Sequence, residues 1–381
     1  MNTATKHVTE SIANSIQPFV TDRTIAGAVL LVGDITGIRQ SAAIGHADIA
    51  AHRAMQPDAL FWIASNTKQM TAAALMMLVD DALVHLDSPV SRYLPEFRGQ
   101  MVVVEEDDEH RLLSKPLRAV TVRDLVSHTG GLLPWFHDGK LNIGSLRERA
   151  LACALTPLRF EPGTKWEYGN GGFEVAGRII EVVTGVALDA FFQHRLFDPL
   201  GMNDTTFWPT SHQLQRLATP YTPNDDGTEL VEAALPFTAP LSELTGSPSP
   251  GGGLFSTATD CFRFCQMIAA GGVFNGQRLL TEVSVRAMTA TQTGDLLSAP
   301  DNNNGYGLGW NTSSRISSKP WPQDSGTVHH GGAFGTNMRI ELETGVIKVF
   351  MISQAGWRPD FDSGRPVNTF WDSATESPEA A

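Results

Sequence analysis

Cysteine is scarce, with Cys153, Cys261 and Cys265 the only three in 381 residues. Three thiols make no disulfide framework. The last two stand one helical turn apart in the apolar stretch 261–268, so all three read as small buried hydrophobes of a reducing compartment. No uninterrupted apolar run approaches the roughly 18 residues that a helix needs to cross a bilayer. Residues 1–10 are polar, without a basic cluster or an apolar segment, so no export signal is visible and a cytoplasmic protein with no membrane span is expected. Positive charge is also short: 28 Lys and Arg stand against 41 Asp and Glu, for a net charge of -13. Such a surface does not track phosphates, which sets nucleic acid aside as a partner, and the acidity reads as a solubility feature. The zinc signatures Cys-x-x-Cys and His-Glu-x-x-His are absent, as is any repeat of 20 to 50 residues, which argues against a solenoid or propeller.

What is present is apolar content of 42%, enough for a sizeable core in one large domain or two closely packed ones. Residues 28–32 break at Gly33-Asp34 and a second run leads to 42–45, the pattern of two antiparallel strands. The stretch 71–79 is apolar nearly all round and too long for a strand, so it is expected to form a buried helix with Ser65 at its amino-terminal end. Residues 86–250 string helical segments between Pro- and Gly-rich turns and include a hairpin at 102–113 with a charged, solvated tip. From Gly251 strand signals resume, with a hairpin about Thr344-Gly345 and a closing helix at 367–374. The expectation is an α+β protein in which both chain ends share one antiparallel sheet flanked by helices. Residues 1–85 and 251–381 would form the α/β domain and 86–250 an inserted, mainly helical one.

Three stretches carry chemistry. In Ser65-Asn66-Thr67-Lys68, positions i and i+3 share one helix face, so the Lys68 amine can reach the Ser65 hydroxyl, which needs a base to become a nucleophile. Burial would disfavour the ammonium and make Lys68 a usable base, while the helix end favours a developing oxyanion. In Tyr168-Gly169-Asn170, the phenol can relay a proton if the neighbouring lysine favours its phenolate, and the amide can both accept from lysine and donate to a substrate carbonyl. In His329-His330-Gly331-Gly332-Ala333, small residues before a strand let its edge approach a ligand. Adjacent strand residues face opposite ways, so the two histidines are not expected to share a metal. His128, in a Ser-His-Thr-Gly-Gly turn, is read as a structural hydrogen-bonding residue rather than a base.

In this order and spacing the three stretches resemble the family of class C β-lactamases, penicillin-binding DD-peptidases and their esterase and D-aminopeptidase relatives. Supporting text lies at 121–132, 199–202, 252–258 and 306–310. The resemblance implies the β-lactamase/transpeptidase-like fold, with the site in the cleft between the two domains. It implies Ser65 as nucleophile, Lys68 and Tyr168 as the groups that exchange its proton, and Asn170 touching both Lys68 and substrate. The N–H groups of Ser65 and Ala333 would form the oxyanion hole, with His330 and Gly332 lining the strand side. No cofactor or metal is implied. Two positions depart from the family pattern: His330 stands where class C β-lactamases carry lysine and holds a β-lactam carboxylate less well, and Gly169 replaces Ala or Ser and is expected to loosen its loop.

The resulting expectation is a serine hydrolase acting on a small-molecule ester, amide or peptide through an acyl-enzyme. A β-lactamase or DD-carboxypeptidase is the second reading, and a non-catalytic ligand-binding or scaffold protein on the same fold is the third. The pocket would be shaped by loops at 101–117, 134–146 and 288–314. Oligomeric state is not legible.

Overall fold

The structure, a computed structural model, describes residues 3–134, 144–237, 239–243, 247–296, 304–313 and 326–373. Much of the pocket-shaping loops expected at 134–146 and 288–314, and Ala374 of the closing helix, lie outside them.

The first part of the chain supplies strands β1 (Gly27–Asp34), β2 (Gly37–Asp48) and β3 (Arg53–Ala54). The last part supplies β4 (Asn304–Tyr306), β5 (Asn311–Ser313), β6 (Thr327–Gly331), β7 (Asn337–Glu341) and β8 (Ile347–Met351). They form one eight-stranded sheet in the order β4-β5-β6-β7-β8-β1-β2-β3, with neighbours antiparallel throughout. The chain ends meet at β1, where Leu30 stands opposite Ala42 of β2 and Phe350 of β8. β1 is buried along its whole length, and its pleat feeds two cores. Val29 and Leu31 enter the larger one, Ala28, Leu30 and Val32 the smaller.

The smaller core is closed by helix α1 (Thr3–Thr21), through Ile12, Ile16 and Phe19, and by the carboxy-terminal helix at Arg365–Ser373, through Phe370 and Trp371. α1 was not anticipated, because its amino-terminal half is polar and only one narrow stripe is apolar. The larger core holds α2 (Thr67–Asp80), α3 (Gly171–Thr184) and α4 (Ala258–Ala269). Every residue of α2 from Thr67 to Leu78 is buried, as a helix apolar all round requires. α3 ends on Gly185, whose φ of 69° supplies the left-handed cap that other residues adopt only at a cost.

Strands resume soon after Gly251 with the short Phe255–Ser256, which pairs with Phe61–Trp62, and a helix follows before the next strands. Thr257 caps α4 by accepting the Asp260 N–H, and Cys261, Phe264, Cys265 and Ile268 then follow a helical period into the core. All three cysteines are buried and free. The charged hairpin forms as expected, pairing Val102–Glu106 with Arg111–Ser114. Among the described residues no helix is long and apolar enough to cross a membrane.

Candidate active site

A single tight turn, Ala64–Asn66, leads from the short strand Phe61–Trp62 into α2 and presents Ser65, partly exposed, at the helix's amino-terminal end. Ala64 has a φ of 46°, a left-handed conformation costing a non-glycine residue about 1–2 kcal/mol. It is held there because Ile63 donates to the Leu254 carbonyl (3.0 Å) and Asn66 donates back to the Ile63 carbonyl (3.0 Å).

One turn into the helix, Lys68 is fully buried. Its Nζ lies 3.2 Å from Ser65 Oγ, 2.8 Å from Asn170 Oδ1 and 2.6 Å from the Gly251 carbonyl. Burial is the main influence on the amine and lowers its pKa to about 7, partly opposed by the negative charge of Glu174. In its unprotonated form the amine can keep its two hydrogens on Asn170 and Gly251, both acceptors, and offer its lone pair to the Ser65 hydroxyl. The ring of Tyr168 lies 4.8 Å from Nζ, and its hydroxyl is hydrogen-bonded to Ser65.

At Tyr168 the influence of a neighbouring lysine is outweighed by burial. Burial raises the Tyr168 pKa well above the usual tyrosine value and outweighs the Ser65 hydrogen bond, so it is a protonated phenol at neutral pH. Gly169 does not loosen its loop. A Cβ there would come within 2.4 Å of Pro134 Cα and 2.7 Å of the Pro134 carbonyl, so the residue is glycine because two backbone segments touch.

The support behind Lys68 carries no signature in the sequence. Gly251 contributes a backbone carbonyl, which carries no side-chain signature. Its segment is pinned by Glu174, which accepts from Arg149 (2.8 Å) and from Ser249 Oγ (2.9 Å), while Arg149 also donates to the Pro248 carbonyl (2.5 Å). Arg149 and Glu174 are 5% and 2% exposed, so removing one charge strands the other in a dry site. Glu174→Gln is expected to lower unfolding free energy by about 3–5 kcal/mol, read from a denaturant midpoint.

On the strand side, β6 turns its two histidines to opposite faces. His329 packs on Trp371, and His330 packs near Tyr168. His330 Nδ1 lies 2.8 Å from the Gly331 carbonyl, which can only accept, so Nδ1 carries the hydrogen and Nε2 accepts from the Tyr306 hydroxyl at 3.1 Å. Burial and the Lys68 charge push the His330 pKa down to about 3, so the ring is neutral. Tyr306 belongs to a stretch singled out as supporting text, but its hydrogen bond to His330 is visible only in three dimensions. His128, also buried, accepts the Gly169 N–H through Nδ1 at 3.4 Å and packs its ring on Tyr168 and Tyr306. Burial holds it well below the usual histidine pKa, which suits a structural residue better than a base. Beyond β6, Gly332 and the exposed Ala333 form a turn that faces the Ser65 turn. Among the described residues no group of three or more His, Cys, Asp or Glu is placed to hold a metal ion.

The Beta-lactamase family profile matches residues 12–369. The chain belongs to the Beta-lactamase family. It is a serine hydrolase with that family's β-lactamase/transpeptidase-like α+β fold. It is 31% identical over 367 residues to esterase EstB of Burkholderia gladioli, covering 88% of this chain and 87% of that protein. Penicillin-binding protein 4 of Amycolatopsis lactamdurans is 29% identical, with 87% of this chain and 81% of that protein covered. Among solved structures, EstCE1, a hydrolase with promiscuous acyltransferase activity, superposes with a TM-score of 0.79 at 21% identity, covering 98% of this Beta-lactamase family chain and 100% of its own.

Proposed function

We propose that this protein hydrolyses neutral carboxylic esters, or small amides including those of D-amino acids, through an acyl-enzyme on Ser65. The observation that carries this reading is the buried Lys68 amine, 3.2 Å from Ser65 Oγ and with a pKa of about 7, which is both near enough and neutral enough to take the serine proton. As Ser65 Oγ attacks the carbonyl carbon, its proton passes to Lys68, and the carbonyl oxygen becomes an oxyanion facing the N–H groups of Ser65 and Ala333. Tyr168, a protonated phenol on the other side of Ser65, gives its proton to the departing alcohol and is reprotonated from Lys68. The acyl-serine ester is then hydrolysed when a water gives a proton to the same pair, and Ser65 leaves with it. Asn170 holds Lys68 and presents its amide to the substrate, while His330 and Gly332 line the strand side. The division of the chain into an α/β unit of 1–85 and 251–381 and an inserted unit of 86–250 fits this reading, since Ser65 and Lys68 come from the first and Tyr168 and Asn170 from the second.

The name of EstB supports an ester substrate, and that of Penicillin-binding protein 4 supports the second reading, a β-lactamase or DD-carboxypeptidase. The first is favoured because His330 is neutral, with both ring nitrogens engaged, and offers no cation to a substrate carboxylate. The test is the mass of the intact protein after exposure to a fluorophosphonate, together with rates on p-nitrophenyl acetate and nitrocefin. One adduct and faster ester turnover are expected, whereas an absent adduct with no turnover would leave the non-catalytic reading standing. The nitrocefin-to-acetate ratio of kcat/KM is expected to stay flat from pH 8 to pH 5, because His330 does not gain a proton in that window. A ratio that climbs as the pH falls through 6.5 would show a cationic His330 and sink the neutral-substrate preference.

A further inference from the structure

Two fully buried side chains outside the proton-transfer set join the two turns of the site. Asn66, next to Ser65, donates through Nδ2 to the Thr336 hydroxyl at 3.0 Å, and that hydroxyl donates to the Ile63 carbonyl at 3.2 Å. The hydroxyl thus spends its single hydrogen on the serine turn while accepting from it. Thr336 also holds the opposite turn. Its carbonyl accepts the Gly332 N–H at 2.6 Å, and Gly335 N–H closes back on the Gly332 carbonyl at 2.9 Å, with Ala333 between. The two turns are in direct contact: a Cβ on Gly332 would come 2.2 Å from Thr336 Oγ1 and 2.5 Å from the Ile63 carbonyl.

We propose that Asn66 and Thr336 are positioning residues that set the distance between the Ser65 and Ala333 backbone N–H groups and so fix the oxyanion hole. This inference rests on the acyl-enzyme reading. The two donors come from a helix end and a strand end far apart in the chain, and each must lie about 2.7–3.1 Å from a single oxygen that exists only in the transition state. A gap that widens by a few tenths of an ångström weakens that bond while leaving ground-state binding almost untouched, because the substrate carbonyl makes weaker use of the same donors. The hydroxyl of Thr336 and the amide of Asn66 bridge the two donors' turns by hydrogen bonds, and neither is among the hydrogen-bond partners of Lys68.

Thr336→Val removes the hydroxyl and keeps the shape. It is expected to lower kcat for p-nitrophenyl acetate by roughly tenfold to a hundredfold with KM changed by less than about twofold, since losing one whole oxyanion donor costs about 10²–10³. Fluorophosphonate labelling, which passes through the same oxyanion, slows by a similar factor, and Thr336→Ser recovers most of both rates. Denaturant midpoints for each variant separate this from lost folding. If Thr336→Val does not fold, Asn66→Ala carries the same expectation, because it leaves the Thr336 to Ile63 bond in place. An unchanged kcat in the folded variant, or a loss that Thr336→Ser does not repair, overturns the proposal while wild-type turnover keeps the acyl-enzyme reading. A wild-type protein that gives neither adduct nor turnover overturns both.

Discussion

Replacing Ser65 by alanine is expected to reduce ester hydrolysis by at least about 10⁴-fold and to abolish the fluorophosphonate adduct, because it removes the hydroxyl proposed to form the acyl bond. The fold should survive. Ser65 is partly exposed, and the remaining partners of Lys68, Asn170 Oδ1 and the Gly251 carbonyl, stay in place, so the stability change should fall within about 0.5 kcal/mol. Steady-state rates, intact mass and a denaturation curve on the same preparation decide the point. Turnover within tenfold of wild type would remove Ser65 as nucleophile and with it the mechanism.

The second large effect is on pH. Lys68 acts as a base only when unprotonated, so kcat/KM is expected to rise tenfold per pH unit below about 7 and to level off above it, with a single ionisation on the acid side. Because the folded-state pKa is depressed from the ordinary lysine value, the usable form is already abundant at neutral pH, where a solvent-exposed lysine would be almost wholly protonated. Tyr168 is raised, not lowered, so it adds no falling limb near neutrality. Lys68→Met is expected to cost about 10²–10⁴-fold and to erase the acid limb. Glu174→Gln removes the one charge that raises the Lys68 pKa and should move the limb to lower pH. An acid limb that persists unchanged in Lys68→Met would assign the ionisation to another group.

The fold and the candidate trio of Ser65, Lys68 and Tyr168 were legible to different depths. Ser65 and Lys68 are neighbours on one helix, and three-residue spacing on a helix fixes their approach almost regardless of the rest of the protein. The burial of the helix was equally plain, since 71–79 has no polar face to turn to water. The two hairpins at 27–48 and 337–351 announced themselves by turn residues between apolar runs. The amino-terminal helix escaped notice because a single stripe, Ile12, Ile16 and Phe19, buries it against a sheet the sequence does not display. The balance at Tyr168 was not legible: a nearby lysine can be inferred from order and spacing, but the depth of burial that outweighs it cannot.

By itself, the sequence determined which residue types stand one helical turn apart, which segments must hide their apolar faces, and that the chain has the elements of a Beta-lactamase family hydrolase. Tertiary structure alone decided what surrounds them. It put a backbone carbonyl of Gly251 on Lys68, a buried Arg149–Glu174 pair behind that carbonyl, Tyr306 on His330, and Thr336 between the turns that carry Ser65 and Ala333. The reason is range. Helix spacing and amphipathic pattern act over a few residues, whereas desolvation and hydrogen bonding between segments 24 to 270 positions apart exist only after the chain has folded.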